Sequence, residues 1–155
     1  MRPTTFKYRS DFFFSAISGG TYLKPNYFIK AMNHFREMYK SPIFLVVSDE
    51  VPRAKKTIID SQQEHKDIFF VGTIDDAIDG KISKTESIGI DLAILSLCDH
   101  IIMTHGTFGL WGTFLSSIEN QHIIAYNYIK DEKDIEEVQA VKNANFTNFL
   151  FMDDK

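Results

Sequence analysis

Apolar residues occur along this chain at two different spacings, and the change between them predicts helices and strands in turn. From Pro25 to Met38, apolar side chains recur every three or four positions, which is the spacing of one helix face. Short uninterrupted apolar runs are instead typical of strands that are buried on both faces. Four such runs predict strands at 43–48, 68–71, 100–104 and 122–126.

More polar segments separate the predicted strands and favour helices. One helix is expected over residues 51–63, a second after Ser87, whose side chain suits an N-cap, and a third from Phe108 to Ser117. Strands that alternate with helices indicate an α/β fold built on a doubly wound parallel sheet. The tail after Lys130 is charged and then aromatic, and it is expected to close the domain as a helix and a strap.

Length and charge narrow the class of protein. A chain of 155 residues suits one domain, so residues 1–155 are expected to form a single unit. The formal net charge of −4, from 17 basic and 21 acidic side chains, argues against a nucleic-acid-binding surface. No apolar run approaches the roughly 18 residues that span a bilayer. The first residues also lack the apolar stretch of a signal peptide. The sequence by itself therefore predicts contact with neither nucleic acid nor membrane.

Ligands of parallel α/β sheets bind beyond the carboxyl ends of the strands. This rule selects three places: Ser48 and Asp49 after one predicted strand, Gly72 and Thr73 after another, and a loop that leads from a third strand into a helix. The loop is the most informative of the three. The loop consists of His105, Gly106, Thr107, Phe108 and Gly109. Free backbone N–H groups and the positive end of a helix dipole converge at such a place, which suits a phosphate. The alternative, that the glycines only form a tight turn, is left open by their spacing.

Asp91 is the second informative residue because it interrupts an otherwise apolar segment. A buried carboxylate needs hydrogen-bond donors, so a buried Asp91 would have a specific partner or ligand. If the helix begins at Ser87, however, Asp91 lies in its first turn, where the dipole favours a negative charge. Both interpretations fit the sequence.

No metal site is predicted. His100 and His105 flank one predicted strand, but no third ligand stands at a metal-binding spacing. Asp75, Asp76 and Asp79 lack the regular spacing of a calcium loop, so a solvated acidic surface is expected there. The single Cys98 excludes an internal disulfide bond and a cysteine-based zinc cluster.

A long segment of the chain resembles a known family. Residues 91–111 read DLAILSLCDHIIMTHGTFGLW, which is similar to the pattern DxALLxxCxHxIMTxGTFGxW. That pattern is distinctive of the galactoside α-1,2-fucosyltransferases of glycosyltransferase family 11. The match extends without a gap from Ser87 to Gly112, and weaker similarity covers most of residues 7–151.

The resemblance implies an activity and an architecture. It implies inverting transfer of L-fucose from GDP-fucose to the 2-hydroxyl of a galactose in a glycan, without a metal cofactor. The implied fold is of the GT-B type, and this chain would be its Rossmann-like donor-binding half. An acceptor-binding domain and a membrane anchor, which would place the full-length enzyme in the Golgi membrane, are expected outside this chain.

The resemblance also implies roles for individual residues. Asp91 corresponds to an aspartate expected to read the guanine, and Thr107, Phe108 and Gly109 correspond to a loop expected to hold the pyrophosphate. Ser48, His105 and Gly106 are expected to complete the GDP-fucose site at the same edge of the sheet.

One motif departs from the family pattern. The phosphate motif His-x-Arg-Arg-x-Asp, expected just after the first strand, corresponds to residues 6–11, where Phe6 and Tyr8 replace the histidine and the first arginine. Arg9 and Asp11 remain as the candidate catalytic residues, and Arg9 is also a candidate donor ligand. Loss of one charged group that stabilises a leaving diphosphate typically costs about 10²–10³ in rate. Two alternative functions are therefore considered: an α-1,2-fucosyltransferase, or an inactive module that still binds the nucleotide sugar.

Overall fold

The computed structural model describes residues 7–12, 25–48, 54–56, 58, 66–71, 78–104, 107–127, 139–144 and 146–153. For residues 7–12, Pro25 and Thr107 the description is limited to the backbone. The strands are β1 (Lys7–Phe12), β2 (Ile43–Ser48), β3 (Ile68–Phe70), β4 (His100–Met103), β5 (Ile123–Tyr126) and β6 (Phe149–Met152). The helices are α1 (Pro25–Met38), α2 (Lys84–Ser96) and α3 (Thr107–Leu115), and residues 54–56, 58 and 139–143 are also helical.

The described strands form one parallel sheet in the order β3-β2-β1-β4-β5-β6. The four strands predicted from apolar runs are all present and parallel, and β2 pairs directly with β3. The order runs from β1 outward to β3 on one side and from β4 outward to β6 on the other. The direction of progress along the sheet therefore reverses between β1 and β4.

Helices cover both faces of the sheet, and successive strand residues alternate between the two. On one face, α1 packs on Phe44, Val46, Ile102, Ile124 and Tyr126 together with Ala54 and Ile58. On the other face, Leu110 of α3 packs with Ile101, Met103, Ile123, Ala125, Phe149 and Phe151. Alternate residues of one strand thus belong to different cores. This explains why β2, β4 and β5 appear in the sequence as continuous apolar runs.

Two strands were not predicted from the apolar pattern. The tail forms a sixth strand, β6, rather than a strap, and it pairs in parallel with β5. Residues 6–11 were expected just after the first strand, but residues 7–12 form a strand themselves and pair with both β2 and β4. Four of the six β1 residues are polar, so the strand contains no apolar run from which it could have been predicted.

The predicted N-cap at Ser87 is wrong, because α2 begins one turn earlier. Ser83 caps the helix: its Oγ accepts a hydrogen bond from Glu86 N at 3.1 Å, and its own N–H donates to Glu86 Oε2 at 2.7 Å. This reciprocal pair is a capping box, and hydrogen bonding from Ser83, chiefly from its backbone N–H, lowers the pKa of the Glu86 carboxyl. Ser87 is instead a buried residue inside the helix. Asp91 consequently lies beyond the first turn, where the helix dipole no longer accounts for it.

The Tyr27 hydroxyl connects the first turn of α1 to the end of β4 and to the second residue of β5. The side chain is fully buried, and its OH donates to Met103 O at 2.6 Å and lies 3.2 Å from Ile124 O. Burial raises the pKa of Tyr27 well above its usual value, so the phenol stays protonated and keeps its donor. The tyrosine thereby fixes α1 against the carboxyl edge of the sheet.

Removing the Tyr27 hydroxyl should therefore destabilise the fold. Tyr27→Phe is expected to lower the free energy of unfolding by about 1–2 kcal/mol, because it deletes a buried hydrogen bond to the backbone. Tyr39→Phe is the matched control, since the Tyr39 hydroxyl is partly exposed and lies 3.4 Å from His122 Nδ1. Its effect should stay within about 0.5 kcal/mol. Urea denaturation of both variants measures the difference, and equal losses would contradict the assigned role of Tyr27.

Candidate functional site

The carboxyl ends of β2, β1 and β4 form one row at the edge of the sheet. Phe12 at the end of β1 is paired with Ser48 at the end of β2. On the other side of β1, Asp11 is paired with Met103, so Thr104 follows at the level of Phe12. Neighbouring strands lie roughly 4.8 Å apart, which puts the Cα atoms of Ser48 and Thr104 about 10 Å from each other across β1. This row lies where the strand order reverses.

The two candidate catalytic residues lie on β1 at different depths. Asp11 is paired with Val47 and Met103, one position before the row at the edge. Arg9 is paired with Leu45 and Ile101, two positions further into the sheet. The backbone register thus puts Asp11 closer than Arg9 to the edge where a ligand would bind.

Of the candidate phosphate loop, the structure describes the last part. Thr107 is the first residue of α3, and Phe108 and Gly109 follow in its first turn. The predicted start of a helix at this loop is confirmed. His105 and Gly106 lie outside the described residues.

Helices α2 and α3 run side by side from the carboxyl edge of the sheet towards its other edge. The buried stripe of α2 consists of Ser87, Asp91 and Leu95. Leu95 packs directly on Gly112 of α3, where a Cβ atom would lie 2.8 Å from Leu95 Cβ. One turn earlier on each helix are Asp91 and Phe108, so this packing places them at the same level.

Asp91 is therefore a buried acid beside the start of α3. It is 7% exposed, and Ser87, one turn nearer the carboxyl edge, is 2% exposed. Polar residues thus occupy the two positions of the stripe nearest the edge, and an apolar residue occupies the third. Burying a carboxylate in this way is costly unless it accepts hydrogen bonds.

Thr104 is a residue of this edge that the analysis of the sequence missed. It was included in the predicted strand 100–104, but it directly follows β4 and its side chain is buried. The sequence did contain a signal for this residue: Thr104 is a polar residue that directly follows three apolar strand residues at a carboxyl edge.

His100 lies at the opposite edge of the sheet and has a structural role. Its Nδ1 accepts a hydrogen bond from the His122 backbone N–H at 2.9 Å, and its ring stacks on Tyr39 and Phe35. Burial and the neighbouring His122 lower the pKa of His100 to about 4, so its ring is neutral at pH 7. Within the described ranges, no three His, Cys, Asp or Glu side chains are grouped so that they could hold a metal ion. None of the helices described is long and apolar enough to cross a membrane.

Comparison with known proteins identifies relatives of the segment that contains this edge. Residues 17–149 match the family model of Glycosyl transferase family 11. Galactoside alpha-(1,2)-fucosyltransferase 2 of Pongo pygmaeus is 36% identical over 100 residues, which cover 64% of this chain and 26% of that protein. Galactoside alpha-(1,2)-fucosyltransferase 1 of Rattus norvegicus is 38% identical over 90 residues, which cover 58% of this chain and 21% of that protein. No solved structure matches the chain.

Two features of these matches bear on the site. The aligned part spans only 21–26% of the length of these relatives. The family match includes Ser48, Asp91 and the start of α3, but it begins at residue 17 and so leaves out Arg9 and Asp11.

The contact between α2 and α3 can be tested with two helical glycines. Gly112→Ala should lower the free energy of unfolding by about 1–3 kcal/mol, because the new methyl group would collide with Leu95 near its backbone. Gly89→Ala in α2 is the matched control, since a Cβ there meets no atom within 4 Å. It should raise the free energy of unfolding by about 0.5–1 kcal/mol through helix propensity. Chemical denaturation decides the matter, and a stabilising Gly112→Ala would show that the helices are further apart than described.

Proposed function

Because the chain belongs to glycosyl transferase family 11, we propose that it binds GDP-fucose at the carboxyl edge of its sheet, as the donor-binding part of an α-1,2-fucosyltransferase. The observation that carries the proposal is the reversal of strand order between β1 and β4, directly beside the start of α3. The family match covers β4 and α3, so the structural and sequence arguments concern the same residues.

The strand order supports a nucleotide site. A parallel sheet in the order 3-2-1-4-5-6 is the Rossmann arrangement, in which a nucleotide binds in the crevice where the order reverses. The diphosphate would lie at the start of α3, where Thr107, Phe108 and Gly109 supply backbone N–H groups and the positive end of the helix dipole. His105, Gly106 and Ser48 would complete the lining of this crevice. The domain would be one half of a GT-B enzyme.

Asp91 supplies the chemistry to recognise guanine. Guanine presents an N1–H and a 2-amino group as adjacent donors, and a carboxylate has two acceptor oxygens that match them. Such charge-assisted hydrogen bonds are stronger than neutral ones. Because Asp91 is level with Phe108, the base would lie near α2 and the diphosphate near the end of β4.

The transfer step requires a base and a stabilised leaving group. The 2-hydroxyl of galactose would lose its proton as its oxygen attacks the anomeric carbon of fucose from the face opposite the diphosphate. The bond between that carbon and the phosphate oxygen breaks, and GDP leaves with the electron pair. We assign the base to Asp11, which lies near the edge, and stabilisation of the diphosphate to Arg9, the one motif arginine that remains.

An inactive nucleotide-sugar-binding module is the second candidate. The specific observation in its favour is the presence of Phe6 and Tyr8 where the phosphate motif has a histidine and an arginine. Neither side chain can replace a guanidinium, which neutralises negative charge and donates two parallel hydrogen bonds.

Substitutions at Asp91 test the nucleotide site. Isothermal titration calorimetry with GDP should show binding by the parent chain, and Asp91→Ala should weaken it at least about 10-fold, the loss expected for a hydrogen bond to a charged group. Asp91→Asn should shift preference from GDP towards xanthosine diphosphate, because an amide matches the N1–H donor and 2-oxo acceptor of xanthine. A purely structural Asp91 would lower affinity for both nucleotides equally, and a parent chain that does not bind GDP would refute the proposed function.

A transfer assay separates the two candidate functions. With labelled GDP-fucose and an acceptor that ends in galactose, the 155-residue chain should transfer fucose at least about 10²-fold more slowly than a full-length relative, because one charged group is missing from the phosphate motif. Tyr8→Arg should recover part of the rate if the chain is an enzyme. Turnover within about tenfold of the relative, which is a barrier difference of only ~1.4 kcal/mol, would show that the altered motif is not limiting.

A further inference from the structure

Thr104 carries a buried hydroxyl that has no hydrogen-bond partner. The residue is 6% exposed, and of the buried side-chain N and O atoms in the described part of the chain, its Oγ1 is the one left unpaired. Other buried polar side chains are satisfied: Thr113 Oγ1 donates to Leu110 O at 2.7 Å, and Gln121 Nε2 donates to Cys98 O at 2.8 Å. An unpaired buried hydroxyl costs free energy, so such a group calls for a partner from outside the chain.

The position of Thr104 relates this hydroxyl to the row at the carboxyl edge. Ile102 belongs to the core on the α1 side of the sheet, and strand alternation puts Thr104, two residues later, on the same side. By the same alternation Ser48, two residues after Val46, also lies on the α1 side. The two hydroxyl-bearing residues therefore flank the end of β1 on one side of the sheet.

The first turn of α1 contacts the residue before Thr104 through the Tyr27 side chain. Tyr27, in that turn, donates its hydroxyl hydrogen bond to the carbonyl of Met103, the residue immediately before Thr104. Helix α3 begins three residues after Thr104, on the opposite side of the sheet. The unpaired hydroxyl thus lies at the edge of the sheet where α3 begins and which the first turn of α1 contacts, and the positive ends of helices favour a negatively charged ligand.

We infer that Thr104 is a further residue of the donor site and that its hydroxyl donates a hydrogen bond to a diphosphate oxygen of the nucleotide. The inference rests on the proposed function and extends it to a residue on the α1 side of the sheet. A diphosphate fits better than the base, because Asp91 places the base near α2, whereas Thr104 directly follows β4 at the point of strand reversal. A threonine hydroxyl can donate to a phosphate oxygen and adds no charge of its own.

The test compares two threonines by calorimetry with GDP. Thr104→Val replaces only the hydroxyl with a methyl group, and it should weaken GDP binding by about 10- to 100-fold, the loss expected for a hydrogen bond to a charged group. Thr104→Ser keeps the hydroxyl and should retain most of the affinity. Thr113→Val, which deletes a hydroxyl already paired within α3, should leave GDP affinity unchanged.

The Tm of the unliganded variants provides a second readout. If the Thr104 hydroxyl had a structural role, removing it would lower the Tm. Thr104→Val should raise the Tm by about 2–4 °C, because it removes an unsatisfied buried group. Thr113→Val should not raise the Tm, because this substitution removes a hydrogen bond that exists in the fold.

Two results would overturn the inference in distinguishable ways. Unchanged GDP affinity in Thr104→Val, with binding by the parent intact, would show that the hydroxyl serves a buried water and would leave the proposed function standing. Failure of the parent chain to bind GDP would overturn both.

Discussion

The reversal of strand order between β1 and β4 is the constraint on which the rest of this structure depends. Two adjacent parallel strands whose connections leave in opposite directions cannot both have their ends covered by those connections. Strand β1 leads towards α1 on one face, and β4 leads directly into α3 on the other. The backbone ends of the central strands and the starts of two helices consequently face the same space. Proteins of different function use such a crevice for anionic ligands because it presents N–H groups without requiring a basic side chain.

Polar groups are buried near the carboxyl edge of the sheet, and each burial has a different physical basis. The Tyr27 hydroxyl is paired with strand carbonyls and stabilises the position of α1. Asp91 lies in the buried stripe of α2, where a carboxylate is tolerated only with hydrogen-bond donors around it. The Thr104 hydroxyl is unpaired, which is a local cost to stability. Costs of this kind are commonly found at functional sites, where a bound ligand supplies what the fold does not.

Close contact between α2 and α3 depends on small residues rather than on large apolar ones. Gly109, Gly112 and Thr113 form the buried part of α3. Trp111, Phe114 and Leu115 of the same helix are each more than half exposed. A side chain larger than hydrogen at position 112 would push the helices apart and would move Asp91 away from the start of α3. The position of Asp91 near the carboxyl edge thus depends on the packing of Leu95 and Gly112 one turn further along the two helices.

The sequence by itself determined four of the strands, helices α1 and α3 and the parallel direction of the sheet. Continuous apolar runs and long crossover connections leave few other arrangements, so β2, β3, β4 and β5 were all predicted. It also determined the family, because residues 87–112 form a long ungapped motif within the matched segment. The helix that begins at Thr107 followed from the glycine-containing loop after a strand.

Other features were decided only by the tertiary structure. Strand β1 is polar in sequence and is a central strand because its backbone pairs with β2 and β4, and backbone pairing leaves no trace in the apolar pattern. The start of α2 was set by the reciprocal bonds of Ser83 and Glu86, which compete with the equally plausible cap at Ser87. Ile88 is 55% exposed whereas Ser87 is buried, because Ser87 lies on the same buried stripe of α2 as Leu95, which packs on Gly112. The unpaired hydroxyl of Thr104 likewise depends on which groups surround it in space, and a sequence specifies a side chain but not its neighbours.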